Sequence, residues 1–400
     1  MGLSRSYRQV GILLIALSGG PLAAQTVRDT TPAARIARIA QDIRSRSASG
    51  ADSGTSKSLA DRMAELHVPG VSIAVFNAGK IEWARGFGVR DVASGAPVDS
   101  LTLFQAASIS KPVSAAGMLR LAEQGRIQLD ADVNTMLRSW KVPPSQFADT
   151  AHVTLRHIVS HMAGFNVHGF AGYDVGAPLP SLVQILDGLR PANSGPVRLE
   201  SVPGARESYS GGGVTVMQLL LQDVTGQAFD ELMLDLVLRP AGMARSTFAQ
   251  PLPAQVGGNV ATGYRSDGSA VPGRYHVYPE QAAAGLWTTA SDLARFMLAV
   301  GRSYRGEPEA ILEIGTARQM LTKVPRGSGL GFGISGTGMS ERYRHSGGNE
   351  GYRAFAVGFT GTGRGVVVLT NSDAGTALYQ ELLNAVSREY GWPRMNVGAP

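Results

Sequence analysis

Four hundred residues, 44% of them apolar, with a formal charge of +6, suit one large core or two joined lobes. With no cysteine in the chain, disulfides, a thiol nucleophile and a lipid-bearing cysteine are excluded. The arginines are scattered and form no dense basic block, which speaks against nucleic acid as a partner.

At the start, Arg5 and Arg8 precede an apolar stretch from Gly11 to Ala24 that closes on Pro21-Leu22-Ala23-Ala24. A basic head, a short apolar centre and small residues at the cut predict a secretory signal over residues 1–24. The stretch is short and broken by Gly19, Gly20 and Pro21; an uncleaved membrane anchor is the alternative. The mature chain is expected to be secreted or periplasmic, with no stable membrane insertion. Its charge falls from +6 to +4 once Arg5 and Arg8 leave.

Residues 25–58 read as a flexible N-terminal segment, with Ile36, Ile39 and Ile43 at helical spacing and a Ser/Gly/Ala-rich linker at 45–58. A helix from Ser58 to His67 stops before Pro69-Gly70, which makes His67 a cap rather than a ligand. Val71 to Phe76 and Ile81 to Val89 are β-rich runs joined at Asn77-Ala78-Gly79-Lys80, a hairpin signal. The apolar run Val113, Ala116, Met118, Leu119 and Leu121 predicts a buried helix ending near Gly125, with Pro112 in its first turn.

Helical patterns follow at 153–162, 181–189, 214–225, 229–238, 289–301 and 308–322. Strand patterns return at Gly331 to Ile334, Tyr343 to Ser346, Ala354 to Phe359 and Gly365 to Thr370, and a last helix is expected from Ala377 to Tyr390. This layout predicts an α+β domain over 59–395. One antiparallel sheet drawn from both chain ends (about 59–107 and 285–395) is flanked by helices, and a mostly helical lobe is inserted at about 108–284.

Within this frame three polar groups stand out. Ser108 and Lys111, three apart at the start of a helix, can meet on its first turn. The positive end of that helix favours a nucleophile and developing negative charge. A serine hydroxyl needs a base, and a lysine can serve where burial or a neighbouring cation holds it neutral. The bland reading of the same pair is a helix-capping serine with a solvent-facing lysine. Tyr209 sits on a turn before Gly211, Gly212 and Gly213, where a phenol beside an amine can relay protons; it also reads as an ordinary loop tyrosine. His345-Ser346-Gly347-Gly348 ends a strand, where small residues let a substrate approach the sheet edge and the amide of Gly348 could help bind an oxyanion. The alternative there is a glycine-rich bulge.

Ser108-Ile109-Ser110-Lys111, Tyr209-Ser210-Gly211 and His345-Ser346-Gly347, in this order, resemble the three motifs of the penicillin-recognising serine hydrolases. The chain is most similar to the class C β-lactamase-like branch, with its related esterases and D-amino-acid peptidases. Phrases such as Pro69-Gly70-Val71-Ser72-Ile73 and Ala284-Gly285-Leu286-Trp287-Thr288-Thr289 agree, and the likeness runs from about 60 to 390. The resemblance implies a β-lactamase/transpeptidase-like fold and an exported serine hydrolase working through an acyl-enzyme, without metal or cofactor, on a small-molecule or peptide-like substrate. It makes Ser108 the nucleophile, Lys111 its proton acceptor, Tyr209 the second relay group and His345 a group shaping the cleft. The amides of Ser108 and Gly348 would form the oxyanion hole, with Gly347 and Gly211 lining the substrate side.

The pattern departs at Gly211, where the β-lactamases and D,D-peptidases carry an asparagine that helps hold the substrate's amide side chain. That favours an ester or amide hydrolase of the esterase or peptidase kind, with weak β-lactamase activity left open. The alternative is a penicillin-binding or sensing protein that acylates without efficient turnover. His157 and His161, four apart, have metal-ligand spacing but no third ligand pattern, and no Gly-x-Ser-x-Gly elbow occurs. The loop from Asn166 to Pro180 reads as a plain connection or as a flap over the cleft. Tyr352 and Trp287 read as pocket lining or as core. Substrate and oligomeric state stay open.

Overall fold

The computed structural model describes residues 1–2, 29–46 and 52–395. Apart from residues 1 and 2, the expected signal at 1–24 lies outside them. The architecture is the expected α+β one. Seven strands form an antiparallel sheet in the spatial order Gly333–Ser335, Arg342–Asn349, Tyr352–Phe359, Arg364–Thr370, Gly70–Asn77, Lys80–Asp91 and Ala96–Pro97. The two ends of the chain therefore meet in mid-sheet, where Val368 stands opposite Ile73 and Val367 opposite Ala74.

Side chains on a strand alternate between faces, and here both faces are covered. Val71, Ile73, Val75, Val366 and Val368 pack with Leu378, Leu382 and Val386 of the last helix, Gly375–Tyr390. Ala74, Phe76, Val367 and Leu369 face the inserted lobe and the helix Ala290–Arg305. This double burial explains why the central strands read as unbroken apolar runs rather than as alternating ones.

The N-terminal segment has a helix where the isoleucine spacing suggested one, and departs from the flexible reading after it. Helix Pro32–Gln41 leads into strand Ile43–Arg46, which pairs antiparallel with Asp52–Lys57. Ile39 and Ile43 join the sheet's outer core. Ion pairs tie the segment to the last helix: Arg38 to Glu389 at 2.7 Å, and Arg388 to Asp52. Its polar composition suggested a linker because its order comes from partners more than 300 residues away in sequence.

In the insert, the helix Ser110–Glu123 is buried over almost its whole length. Helices Leu155–Val159, Leu182–Asp187, Gly211–Thr225 and Phe229–Met233 fall within or against the predicted spans. Two further ribbons have two residues per strand: Phe104–Gln105 with Trp287–Thr288, which brings together the chain just before and just after the insert, and Tyr173–Asp174 with His276–Val277 within the insert. Such strands are too short to show a period in the sequence. Among the described residues, no helix is long and apolar enough to cross a membrane.

Candidate active site

The site starts where a two-residue strand runs into a helix. The amide of Ala106 donates to the Leu286 carbonyl at 2.9 Å. Ala107 then takes a left-handed backbone with φ +50. For a residue with a Cβ this costs on the order of 1–2 kcal/mol, so the surroundings must hold it. Ser110 is the clamp: its Oγ donates to the Ala107 carbonyl at 2.6 Å and accepts from the Leu286 amide at 2.9 Å. Ser108, the next residue after the strained one, is the middle residue of the turn Ala107–Ile109 that opens the helix.

Lys111 is 4% exposed. Its Nζ donates to Ser108 Oγ at 3.0 Å and to the Ala283 carbonyl at 2.8 Å. The second contact belongs to the short helix Gln281–Ala284, which is itself pinned. Ala282 donates its amide to Gln218 Oε1 at 2.9 Å, and Ser114 Oγ donates to the Ala282 carbonyl at 3.2 Å. On the other side Asn349 Nδ2 donates to the Ala284 carbonyl at 3.2 Å and to Gln105 Oε1 at 2.7 Å. Nucleophile helix, insert and sheet edge thus share one piece of backbone. The solvent-facing lysine of the bland reading is not what forms.

Tyr209 stands on the turn before helix Gly211–Thr225, whose N-terminus is capped by Ser210 accepting from the Gly213 amide at 3.0 Å. The Tyr209 ring centroid is 5.0 Å from Lys111 Nζ. At 37% exposure the phenol opens to solvent rather than to the core. The His345 ring lies 6.3 Å away, centroid to centroid. The structure therefore brings Ser108, Lys111, Tyr209 and His345 to one place.

His161 joins them, and the sequence reading gave it no such place. It ends the turn after Leu155–Val159 with φ +59, and its ring lies 4.3 Å from that of Tyr209. Burial, and then the nearby Lys111, holds the imidazole of His161 at about 3 and that of His345 at about 4, so both are neutral near pH 7. His345 Nδ1 pairs with the Ser346 carbonyl at 2.6 Å, which places the ring proton on Nδ1 and leaves Nε2 as the acceptor. His157, in contrast, turns toward Gly204. Among the described residues no group of three or more His, Cys, Asp or Glu is placed to hold a metal.

The glycines divide. A Cβ on Gly347 would stand 2.2 Å from the Ala106 carbonyl oxygen, so only glycine lets the strand lie against the nucleophile turn. Gly348 is exposed at the strand end, and a Cβ there would make only ordinary contact with Arg353. Gly211, expected on the substrate side, is instead buried: its amide donates to the His168 carbonyl at 3.2 Å and Phe170 covers it. The loop from Asn166 to Pro180 is tied to this turn. Val167 accepts from the Gly212 amide at 2.9 Å, His168 Nδ1 bonds the Tyr209 carbonyl, and Tyr173–Asp174 pairs with the strand His276–Val277. Trp287 and Tyr352 are core residues, edge to face at 6.0 Å.

A hydroxyl at a helix start, an amine in hydrogen-bond contact and a phenol beside them are the parts needed for acyl transfer. The profile of the Beta-lactamase family matches residues 56–387, which takes in all of these groups. Penicillin-binding protein 4 of Amycolatopsis lactamdurans is 24% identical over 348 residues, covering 83% of this chain and 88% of that protein. Esterase EstB of Burkholderia gladioli is 27% identical over 302 residues, covering 67% and 75%. The octameric penicillin-binding protein homologue from Pyrococcus abyssi superposes with a TM-score of 0.69 at 26% identity, over 84% of this chain and 76% of that one. The chain belongs to the β-lactamase family, among the class C-like serine hydrolases related to penicillin-binding proteins.

Proposed function

We propose that this protein is an exported serine hydrolase that opens carboxylic ester or amide bonds through an acyl-enzyme on Ser108. The observation that carries the reading is the 3.0 Å contact between Lys111 Nζ and Ser108 Oγ, with the Tyr209 ring 5.0 Å from the same nitrogen. Lys111 takes the Ser108 proton as the oxygen attacks the substrate carbonyl. Tyr209 passes a proton to the leaving group and then draws one from the water that releases the acyl chain. The amides of Ser108 and Gly348 receive the oxyanion, and neutral His345 closes the Tyr209 side of the cleft without adding charge. No step calls for a metal or an organic cofactor.

Simple esters fit better than penicillin-like substrates, because no side chain at 211 reaches the cleft to hold an amide. The relative named as an esterase supports the same preference. The test is turnover of a chromogenic short-chain ester, a D-amino-acid anilide and a chromogenic cephalosporin by wild type and Ser108→Ala, with mass spectrometry of the trapped adduct. Ester turnover lost in Ser108→Ala, with an acyl mass on the Ser108 peptide, supports the reading. Stoichiometric acylation by the cephalosporin without turnover of any substrate replaces it with a penicillin-binding or sensing role. Turnover that survives Ser108→Ala overturns it.

A further inference from the structure

His161 holds three consecutive residues of the tyrosine turn. Its carbonyl accepts from the Ser208 amide at 2.7 Å, its ring lies 4.3 Å from the Tyr209 ring at an interplanar angle of 38°, and its Nδ1 faces the Ser210 amide at 3.4 Å. An Nδ1 that accepts a backbone proton carries its own proton on Nε2 and belongs to a neutral ring. His161 is 7% exposed, so its position is set by packing rather than by solvent. The left-handed backbone at φ +59 turns the chain so that carbonyl and ring face the same turn. The titratable groups that face it are Lys111, Tyr209 and His345.

We propose that His161 is a positioning residue of the proposed reaction: a neutral imidazole that fixes the Tyr209 phenol beside Lys111 by tilted ring-to-ring contact and by gripping the backbone on both sides of the tyrosine. A phenol on an exposed glycine-flanked turn has several rotamers open to it, and a proton relay needs one. The ring supplies the wall that selects it.

The inference rests on the acyl-transfer reading, and the test separates the two. In the full chain, His161→Ala, His161→Phe and His161→Asn are compared with wild type for kcat and KM on the chromogenic ester. The same variants are compared for the rate at which a fluorophosphonate labels Ser108, and for thermal midpoint. The expected result for His161→Ala is a 10- to 100-fold fall in kcat and in labelling rate, KM within threefold, and a Tyr209 ring displaced by more than 1 Å in a crystal structure of the variant. His161→Phe, which keeps a ring beside the phenol, recovers at least half of that loss on a logarithmic scale. Should His161→Ala not fold, His161→Asn, which keeps an acceptor but no ring, takes its place. Equal losses in Phe and Ala, or losses that follow only the fraction folded, overturn the positioning role. Turnover that survives Ser108→Ala sinks the acyl-transfer reading itself. Turnover that needs Ser108 but ignores His161 sinks the inference alone.

Discussion

Gly347 and Ala106 meet backbone to backbone: a Cβ on the glycine would stand 2.2 Å from the carbonyl oxygen of the alanine. Nothing at that contact can rotate away, because the atom in the path is main chain. The strand Arg342–Asn349 is therefore a wedge behind the turn that presents Ser108. Gly347→Ala should push the two apart, lowering stability by about 1–3 kcal/mol, as overpacking does, and lowering ester turnover at least 100-fold. Gly348→Ala, whose Cβ meets only the far end of Arg353 at 3.4 Å, should keep the wild-type melting midpoint. Wild-type kcat/KM in Gly347→Ala would show that the wedge does not set the geometry.

Lys111→Met removes the amine and keeps most of the volume. It leaves the Ala283 carbonyl without the donor it has at 2.8 Å and Ser108 without its base at 3.0 Å. General-base catalysis is worth about 10²–10⁴-fold, so kcat/KM for the ester should fall by about 10³ while the far-ultraviolet spectrum stays unchanged. A loss below tenfold would assign the base role to another group.

Gly211 bears on substrate choice. An asparagine there would meet Phe170 at 3.1 Å and the His168 carbonyl at 3.2 Å before its amide reached the cleft. Gly211→Asn alone should therefore lower both the melting midpoint and ester turnover. Adding Phe170→Ala should restore part of each and raise cephalosporin turnover relative to ester turnover. If the double variant is no better than the single one on all three measures, Phe170 is not what keeps a side chain out of position 211.

Glu280 is wholly buried, and no other residue donates a hydrogen bond to its carboxyl oxygens. Burial pushes its pKa up from 4.5 to about 7. The native state thus keeps a proton that the unfolded chain gives up. Stability is unaffected below about pH 4.5 and falls as pH rises to about 7, by an amount on the order of 3 kcal/mol. Glu280→Gln should melt progressively higher than wild type across that window, with the gap levelling off above it. His161 and His345, held below the usual 6.5, act in the opposite sense: the stability they allow is complete above pH 6.5 and is lost as pH falls toward 4. Parallel melting curves for wild type and Glu280→Gln from pH 5 to 8 would rule out the buried proton.

Ser108 and Lys111 were readable because their relation is local: three residues on one helical turn put the groups together in any fold that keeps the helix. The middle of the sheet was readable because its central strands, Gly70–Asn77, Tyr352–Phe359 and Arg364–Thr370, are almost continuous apolar runs. His161 was not, because what matters about it is a ring met some 48 positions later in the chain and a left-handed turn that no pattern around residue 161 announces. Gly211 differs for a related reason: Tyr209, two residues before it, lies beside Lys111, while the loop carrying His168 and Phe170 covers the glycine itself. The N-terminal ribbon was hidden because Asp52 finds Arg388 only after folding.

The wedge at Gly347 comes from the far end of the polypeptide, some 240 positions after the serine it supports. A ribosome that has made the first 300 residues has already released Ser108, Lys111 and Tyr209, yet the turn that aims the hydroxyl still lacks its backing. Contacts of such sequence separation form late and slowly. Labelling of Ser108 by an active-site probe is thus a clock for completed folding, silent on nascent or truncated chains and switched on only when the last strands dock.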